Sequence, residues 1–190
     1  MQIILASQSP RRKELLSLFH IPFTVRVADI DESMPGTDPC AEVADISRRK
    51  AAAIKHEPDD VVIAADTIVV CDGAVLGKPK DEADALRMLR MLSGRRHQVM
   101  TGMTVLYGDV AHTCTEVSDV YFRELTDSEI NRYIRTKEPM DKAGSYGIQG
   151  GGALFVEKIH GDYFNVMGLP VCKLSQVLTQ LLPDLMEETR

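Results

Sequence analysis

The chain has 190 residues, with 22 Lys+Arg against 28 Asp+Glu and a formal net charge of −6. Apolar residues make up 44% and charged residues 26%, proportions of a globular protein with room for one large domain or two small lobes. No apolar run reaches the ~18 residues of a membrane span, the start Met1-Gln2-Ile3-Ile4-Leu5-Ala6 lacks the features of a signal peptide, and the acidic balance argues against a duplex-DNA coat and stable nucleic-acid binding.

In chain order, Ile3-Ile4-Leu5 predicts a short buried strand. Ser9-Pro10 then supplies an N-cap and an N1 proline, and Leu15, Leu16, Leu18 and Phe19 give the following helix an apolar face. Phe23 to Val27 reads as a strand, and Asp29 to Ala41, with Met34-Pro35-Gly36 and Asp38-Pro39, as an exposed loop. A helix is expected from about Ala41 to Lys55. Val61 to Val70 is a strand apolar on both faces, and Asp72-Gly73 turns it back onto Val75-Leu76. Glu82 to Leu92 is an amphipathic helix stopped by Gly94. Strands near Gln98–Tyr107 and Ala111–Arg123 follow, joined at Gly108-Asp109. Thr126 and Glu129 form a capping box for a helix to about Arg135. Ala153 to Ile159 and Phe164 to Met167 are expected strands around His160-Gly161-Asp162, and Pro170 opens a last helix that ends before Pro183. This mixture predicts an α/β or α+β fold with a mixed sheet.

Cys40, Cys71, Cys114 and Cys172 are too scattered for a CxxC pair or a zinc ribbon. They are read as reduced thiols of a cytosolic protein, each acting as a small buried hydrophobe. His20, His56, His97, His112 and His160 show no metal-ligand spacing; a metal here would be a hard, oxygen-ligated cation held partly by phosphates.

Four features fit poorly with structure alone. Arg11-Arg12-Lys13 stacks positive charge on a helix N-terminus, where acids are preferred; it is either a solvated basic turn or an anion site. Asp66 lies inside Val61-Val62-Ile63-Ala64-Ala65-Asp66-Thr67-Ile68-Val69-Val70, where a carboxylate must be paired, hydrogen-bonded or metal-bound. Lys78 and Lys80 follow the hairpin from that strand, as surface lysines or as a returning charge. The run Asp141-Lys142-Ala143-Gly144-Ser145-Tyr146-Gly147-Ile148-Gln149-Gly150-Gly151-Gly152 either lets backbone approach a ligand or is a glycine-rich turn feeding a strand. It is neither a Walker A loop nor GxGxxG.

Together, the blocks Leu5-Ala6-Ser7-Gln8-Ser9-Pro10-Arg11-Arg12, Ala65-Asp66-Thr67, Gly77-Lys78-Pro79, Leu92-Ser93-Gly94 and Asp141–Gly150 resemble the Maf family, from Ile3 to about Leu178. These are nucleoside triphosphate pyrophosphatases once described as septum-formation inhibitors. The Lys142–Gln149 run resembles the branch acting on dTTP and UTP rather than the branch for methylated GTP. The resemblance implies an α/β, Maf/Ham1-like fold: a long mixed sheet flanked by helices, with a nucleotide cleft between two lobes of one domain over residues 1–190. It implies a cytoplasmic house-cleaning enzyme, usually a homodimer, that uses a divalent cation (Mg2+ or Mn2+) to convert the triphosphate to monophosphate and pyrophosphate. By matching position to position, Asp66 falls on the family's proton acceptor, and Arg11, Thr67 and Gln149 on its specificity positions. Ser7, Arg12, Glu32, Lys50 and Lys78 match further substrate positions, and Glu32 and Asp66 the metal. Asp31 stands beside Glu32 as an alternative. The competing classes are a nucleotide-binding regulator without chemistry, against which Asp66 argues, and an inosine-triphosphate-type pyrophosphatase, against which Gly147-Ile148-Gln149 argues.

Overall fold

The computed structural model describes residues 1–27 and 29–183; position 28 and positions 184–190 of the expected domain lie outside them. Seven strands form one sheet: β1 (Ile3–Leu5), β2 (Phe23–Val25), β3 (Val61–Cys71), β4 (Ala74–Leu76), β5 (Arg96–Tyr107), β6 (Val110–Phe122) and β7 (Val156–His160). Their order is β2-β1-β3-β5-β6-β7, with β4 paired to β3 off that path. β1 runs parallel to β2 and β3, with Ile3 opposite Phe23 and Val61; β4 pairs antiparallel with β3, and β7 with β6. Among the described residues six α-helices accompany them: α1 (Pro10–Ser17), α2 (Pro39–Ala52), α3 (Glu82–Leu92), α4 (Asp127–Arg135), α5 (Tyr163–Met167) and α6 (Val171–Leu181). The expected α/β class with a mixed sheet is therefore observed.

The chain divides into two compact units. The first comprises Met1–Asp66, Thr101–Glu116 and the stretch from Gly168; the second comprises Thr67–Met100 and Val117–Met167. In the first unit, Ile4 of β1, Ala6 just after it, and Val62 and Ala64 of β3 bury against Ala51 of α2 and Ile54 just beyond it. In the second, Ala85, Met88, Leu89 and Leu92 of α3 and Ile130, Tyr133 and Ile134 of α4 pack with Val69, Val99, Val120 and Phe122 of the sheet.

Several expectations are corrected. Phe164–Met167 is not a strand but part of α5. Asn165, fully buried there, donates from Nδ2 to the Val99 carbonyl (3.0 Å) and to Ser118 Oγ (2.9 Å), long-range bonds that decide a short apolar run either way. Ala153 to Phe155 belongs to a 3-10 turn, and the strand starts only at Val156. Asp38-Pro39 is a helix start rather than loop punctuation: the Asp38 side chain accepts from the Cys40 amide and Pro39 stands at N1, so α2 begins and ends earlier than its apolar spacing suggests. Leu18 is exposed because α1 ends at Ser17. All four cysteines are free, but only Cys71 is buried; Cys40 and Cys114 are partly buried and Cys172 is exposed. The capping box at Thr126 and Glu129 and the stop at Gly94, with φ +66°, are as expected. No helix among the described residues is long and apolar enough to cross a membrane.

One close approach in the first unit is between backbones. A Cβ added at Gly102 of β5 would lie 2.2 Å from the Val43 carbonyl oxygen and 2.7 Å from the Ala44 amide nitrogen of α2. No rotamer relieves a clash with main chain. Gly102→Ala is accordingly expected to lower unfolding free energy by about 3 kcal/mol or more, read as a reduced denaturant midpoint; an unchanged midpoint would refute the contact.

Candidate active site

α1 begins with Ser9 as N-cap, its Oγ accepting from the Arg12 amide at 3.5 Å, and no acid occupies its first turn. Upstream, the buried Ser7 hydroxyl accepts from the Ser9 amide (3.2 Å) and from the Arg12 guanidinium (3.3 Å). Arg12 Nε donates to the Gly168 carbonyl at 2.8 Å. Arg12 is thereby anchored from both sides, whereas the neighbouring Arg11 buries its Nε with no hydrogen-bond partner. A buried guanidinium N–H without an acceptor is costly, and an anion would satisfy it. Burial holds the Arg12 pKa below its ordinary value; the Asp66 carboxylate opposes that shift, the Arg11 charge adds to it and the Glu32 carboxylate opposes it again. These four charges thus share one neighbourhood.

β3 is buried throughout except at Asp66 and Thr67, its only half-buried steps. Lys50, near the end of α2, reaches Asp66 Oδ1 at 2.6 Å and Glu32 Oε1 at 2.8 Å. The Lys50 and Asp66 side chains are only 16% and 14% exposed, against 56% for Glu32. The loop carrying Glu32 is held by Arg49, which donates to the carbonyls of Asp31 and Ser33 and pairs with Asp45 one turn earlier. Asp31 and Glu32 have different local partners. Asp31 accepts from the Ser33 hydroxyl (2.8 Å) and amide (2.9 Å), which lower its pKa, while Glu32 pairs with Lys50. Arg49 was not legible as a site residue; the only signal is its i,i+4 spacing from Asp45. Ser7, Arg11, Arg12, Glu32, Lys50 and Asp66 all belong to the first unit, three cations against two carboxylates in a chain whose net charge is −6.

Thr67, Lys78 and Gln149 belong to the second unit. Lys78 is exposed just after β4 and makes no ion pair among the described residues; Gln149 is exposed in a turn. The glycine-rich run reaches back to the Lys78 segment, since the Gly144 amide donates to the Gly77 carbonyl at 3.1 Å. Gly144 and Ser145 take φ of +66° and +61°. A Cβ at Gly144 would meet Val69 Cγ2 at 2.8 Å, and Ser145 is buried with its hydroxyl on the Met88 sulfur. The later glycines make close contact with protein: a Cβ at Gly150 would lie 2.1 Å from Glu138 Oε1, and one at Gly147 2.7 Å from Lys142 Cε. The approach these glycines permit is to the side chains around which the loop is wound.

The Maf-like protein family model matches residues 2–181. The chain belongs to the Maf family. Among its relatives, a dTTP/UTP pyrophosphatase of Bacillus pumilus is 52% identical over 93% of this chain and 95% of its own length. One of Alkaliphilus metalliredigens is 50% identical over 93% of this chain and 94% of its own. A HAM1 protein from Coxiella burnetii, of solved structure, is similar in fold with a TM-score of 0.50 over 95% of this chain and 99% of that one, at 14% identity.

In this Maf chain the glycine-rich loop is also pinned by a buried histidine. His97 Nε2 lies 2.8 Å from the Tyr146 hydroxyl, edge-on to the rings of Tyr146 and Phe122, and its Nδ1 is buried without a partner. Burial pushes the His97 pKa from 6.5 down to about 4, with Asp119 opposing. The folded protein keeps the ring neutral while the unfolded chain takes up a proton near 6.5. This group's contribution is therefore complete above pH 6.5 and is lost as the pH falls toward 4, by up to about 3 kcal/mol. Thermal melts across that window are expected to fall more steeply for wild type than for His97→Gln; parallel curves would refute a neutral buried His97.

Proposed function

We propose that this chain is a nucleoside triphosphate pyrophosphatase that hydrolyses dTTP and UTP to the monophosphate and pyrophosphate. The observation that carries the reading is Asp66, a half-buried carboxylate in an otherwise buried strand, in one charge cluster with Arg11, Arg12 and Lys50. A protein that only holds phosphates gains nothing from a carboxylate beside them, whereas hydrolysis needs a proton acceptor. The names of the relatives at 46–52% identity support the substrate class.

In this mechanism the Arg11 and Arg12 side chains at the N-terminus of α1 bind phosphate oxygens, giving the buried Arg11 Nε its acceptor. Asp66 accepts a proton from water as that water's oxygen bonds to phosphorus and the bond between the α- and β-phosphates breaks. Cations around the leaving pyrophosphate stabilise the charge it gains. Lys50 exchanges part of its contact with the carboxylates for the incoming phosphates. Lys78 is proposed as a further phosphate contact, Ser7 as the support of Arg12, and Gln149, with Arg11 and Thr67, as a reader of the base.

A divalent cation, Mg2+ or Mn2+, fits the donor set. Glu32 and Asp66 present hard carboxylate oxygens, and one cation, the Lys50 ammonium, already lies against both. Among the described residues no group of three His, Cys, Asp or Glu side chains gathers as a complete ligand set, so phosphate oxygens would share the ion. When bound, it supplies charge neutralisation and polarisation of phosphate. The proposal extends to house-cleaning of nucleotide pools in the cytoplasm by a homodimer.

Purified protein incubated with UTP, dTTP, CTP or ITP and Mg2+ or Mn2+ is expected to release pyrophosphate from UTP and dTTP first; no release from either refutes the proposal. Asp66→Asn is expected to lower kcat by about 10²–10⁴-fold while UTP binding, measured calorimetrically, holds or tightens through loss of a negative charge; wild-type turnover would remove Asp66 from catalysis. A Gln amide matches the N3–H donor and carbonyl acceptors of uracil and thymine, a pattern cytosine reverses. Gln149→Glu is therefore expected to reduce the UTP-to-CTP ratio of kcat/KM, and an unchanged ratio would shift base reading to Arg11 or Thr67.

A further inference from the structure

We infer that Tyr133 and Glu138 are positioning residues that set base selectivity, by fastening both sides of the turn that carries Gln149. The inference rests on the proposed base-reading role of Gln149. Tyr133, on α4, is buried, and its ring meets Phe155 edge-on at 5.1 Å. Its oxygen accepts from the Gly147 amide at 3.1 Å and donates to Glu138 Oε1 at 2.9 Å. The other carboxylate oxygen, Oε2, accepts from the Gly151 amide at 3.0 Å. One relay therefore joins the amide two residues before Gln149 to the amide two residues after it.

Glu138 is itself fixed. It follows Lys137, which turns the chain at φ +64°, and its carbonyl accepts from Lys142 Nζ at 2.7 Å. The glycines complete the fit: Cβ atoms at Gly150 and Gly147 would lie 2.1 Å and 3.1 Å from Glu138 Oε1, and one at Gly151 3.1 Å from the Tyr133 ring. The turn is thus wound on a carboxylate and a phenol. Both carboxylate oxygens are occupied, one by the Tyr133 hydroxyl and one by the Gly151 amide, which assigns Glu138 to positioning rather than to chemistry. Gln149 is exposed and its side chain makes no hydrogen bond among the described residues, so its place is set by the backbone on either side. A loose amide can pair with either uracil or cytosine; a fixed one discriminates, because the wrong base leaves polar atoms unpaired.

The test measures kcat and KM for UTP, dTTP and CTP on the full chain. Tyr133→Phe removes the bridging hydroxyl and keeps the ring contact with Phe155. Glu138→Gln leaves one acceptor where two are needed. Each is expected to lower the UTP-to-CTP ratio of kcat/KM by about tenfold or more, mainly through a higher KM for UTP. Gly150→Ala, which drives Glu138 from its seat, is expected to do the same, and its combination with Glu138→Gln to add little further. A lower melting temperature with the wild-type ratio kept in Tyr133→Phe and Glu138→Gln would overturn the inference and leave a purely structural role. If wild type itself shows no preference for UTP over CTP, or Gln149→Glu keeps it, the base-reading assignment fails first. If Gln149→Glu loses the preference while the Tyr133 and Glu138 variants keep it, only the positioning role fails.

Discussion

The double ion pair of Lys50 with Asp66 and Glu32 is the interaction on which the rest of the first unit's chemistry depends. A carboxylate in the middle of β3 is expensive to bury alone. Lys50 compensates it from α2 and also meets a third charge, Glu32, which stands in a more exposed loop. Two carboxylates on one ammonium form an oxygen-lined seat already filled by a cation. In the proposed reaction, the atoms that make Asp66 tolerable in β3 are those a phosphate-rich substrate would rearrange. On that proposal one lysine serves both the burial of Asp66 and the entry of substrate.

Much of this was legible because the signals are local. Ser9-Pro10 announces the start of α1, and three cations after it are anomalous against the helix dipole. Asp66 stands out because every neighbour within the strand is apolar or small. Lys50 had no such signal: in the run Arg48-Arg49-Lys50 nothing local separates the lysine that turns inward from the arginine that binds a loop. Only the family resemblance pointed to it, and the distinction is made by contacts to Asp66, Glu32, Asp31 and Ser33 across the fold. Asn165 carries the same lesson for secondary structure. A short apolar segment became helix because its amide found Val99 and Ser118, partners distant in sequence.

The glycine-rich loop was recognisable as unusual but not for the right physical reason. Its glycines look like room for a ligand, and they are room for Glu138, Lys142 and Val69. Tyr133 and Glu138 form no motif, and a Tyr on the buried side of α4 reads as core. It is core, with a hydroxyl that also holds main chain. The conformational freedom of glycine is used here to let a loop close around a charged side chain, leaving one exposed amide at its outer rim.

Gly102 places a further demand on this architecture. Where β5 and α2 meet at Gly102, main chain lies directly against main chain. Side-chain contacts drift in evolution, since a larger residue on one side is balanced by a smaller one opposite. A backbone–backbone contact has no such counterpart to adjust. The helix that carries Lys50 therefore sits on a fixed gauge. A side chain at position 102 would lift that helix, and the Lys50 ammonium with it, so the absence of a single Cβ on β5 bears on the charge cluster.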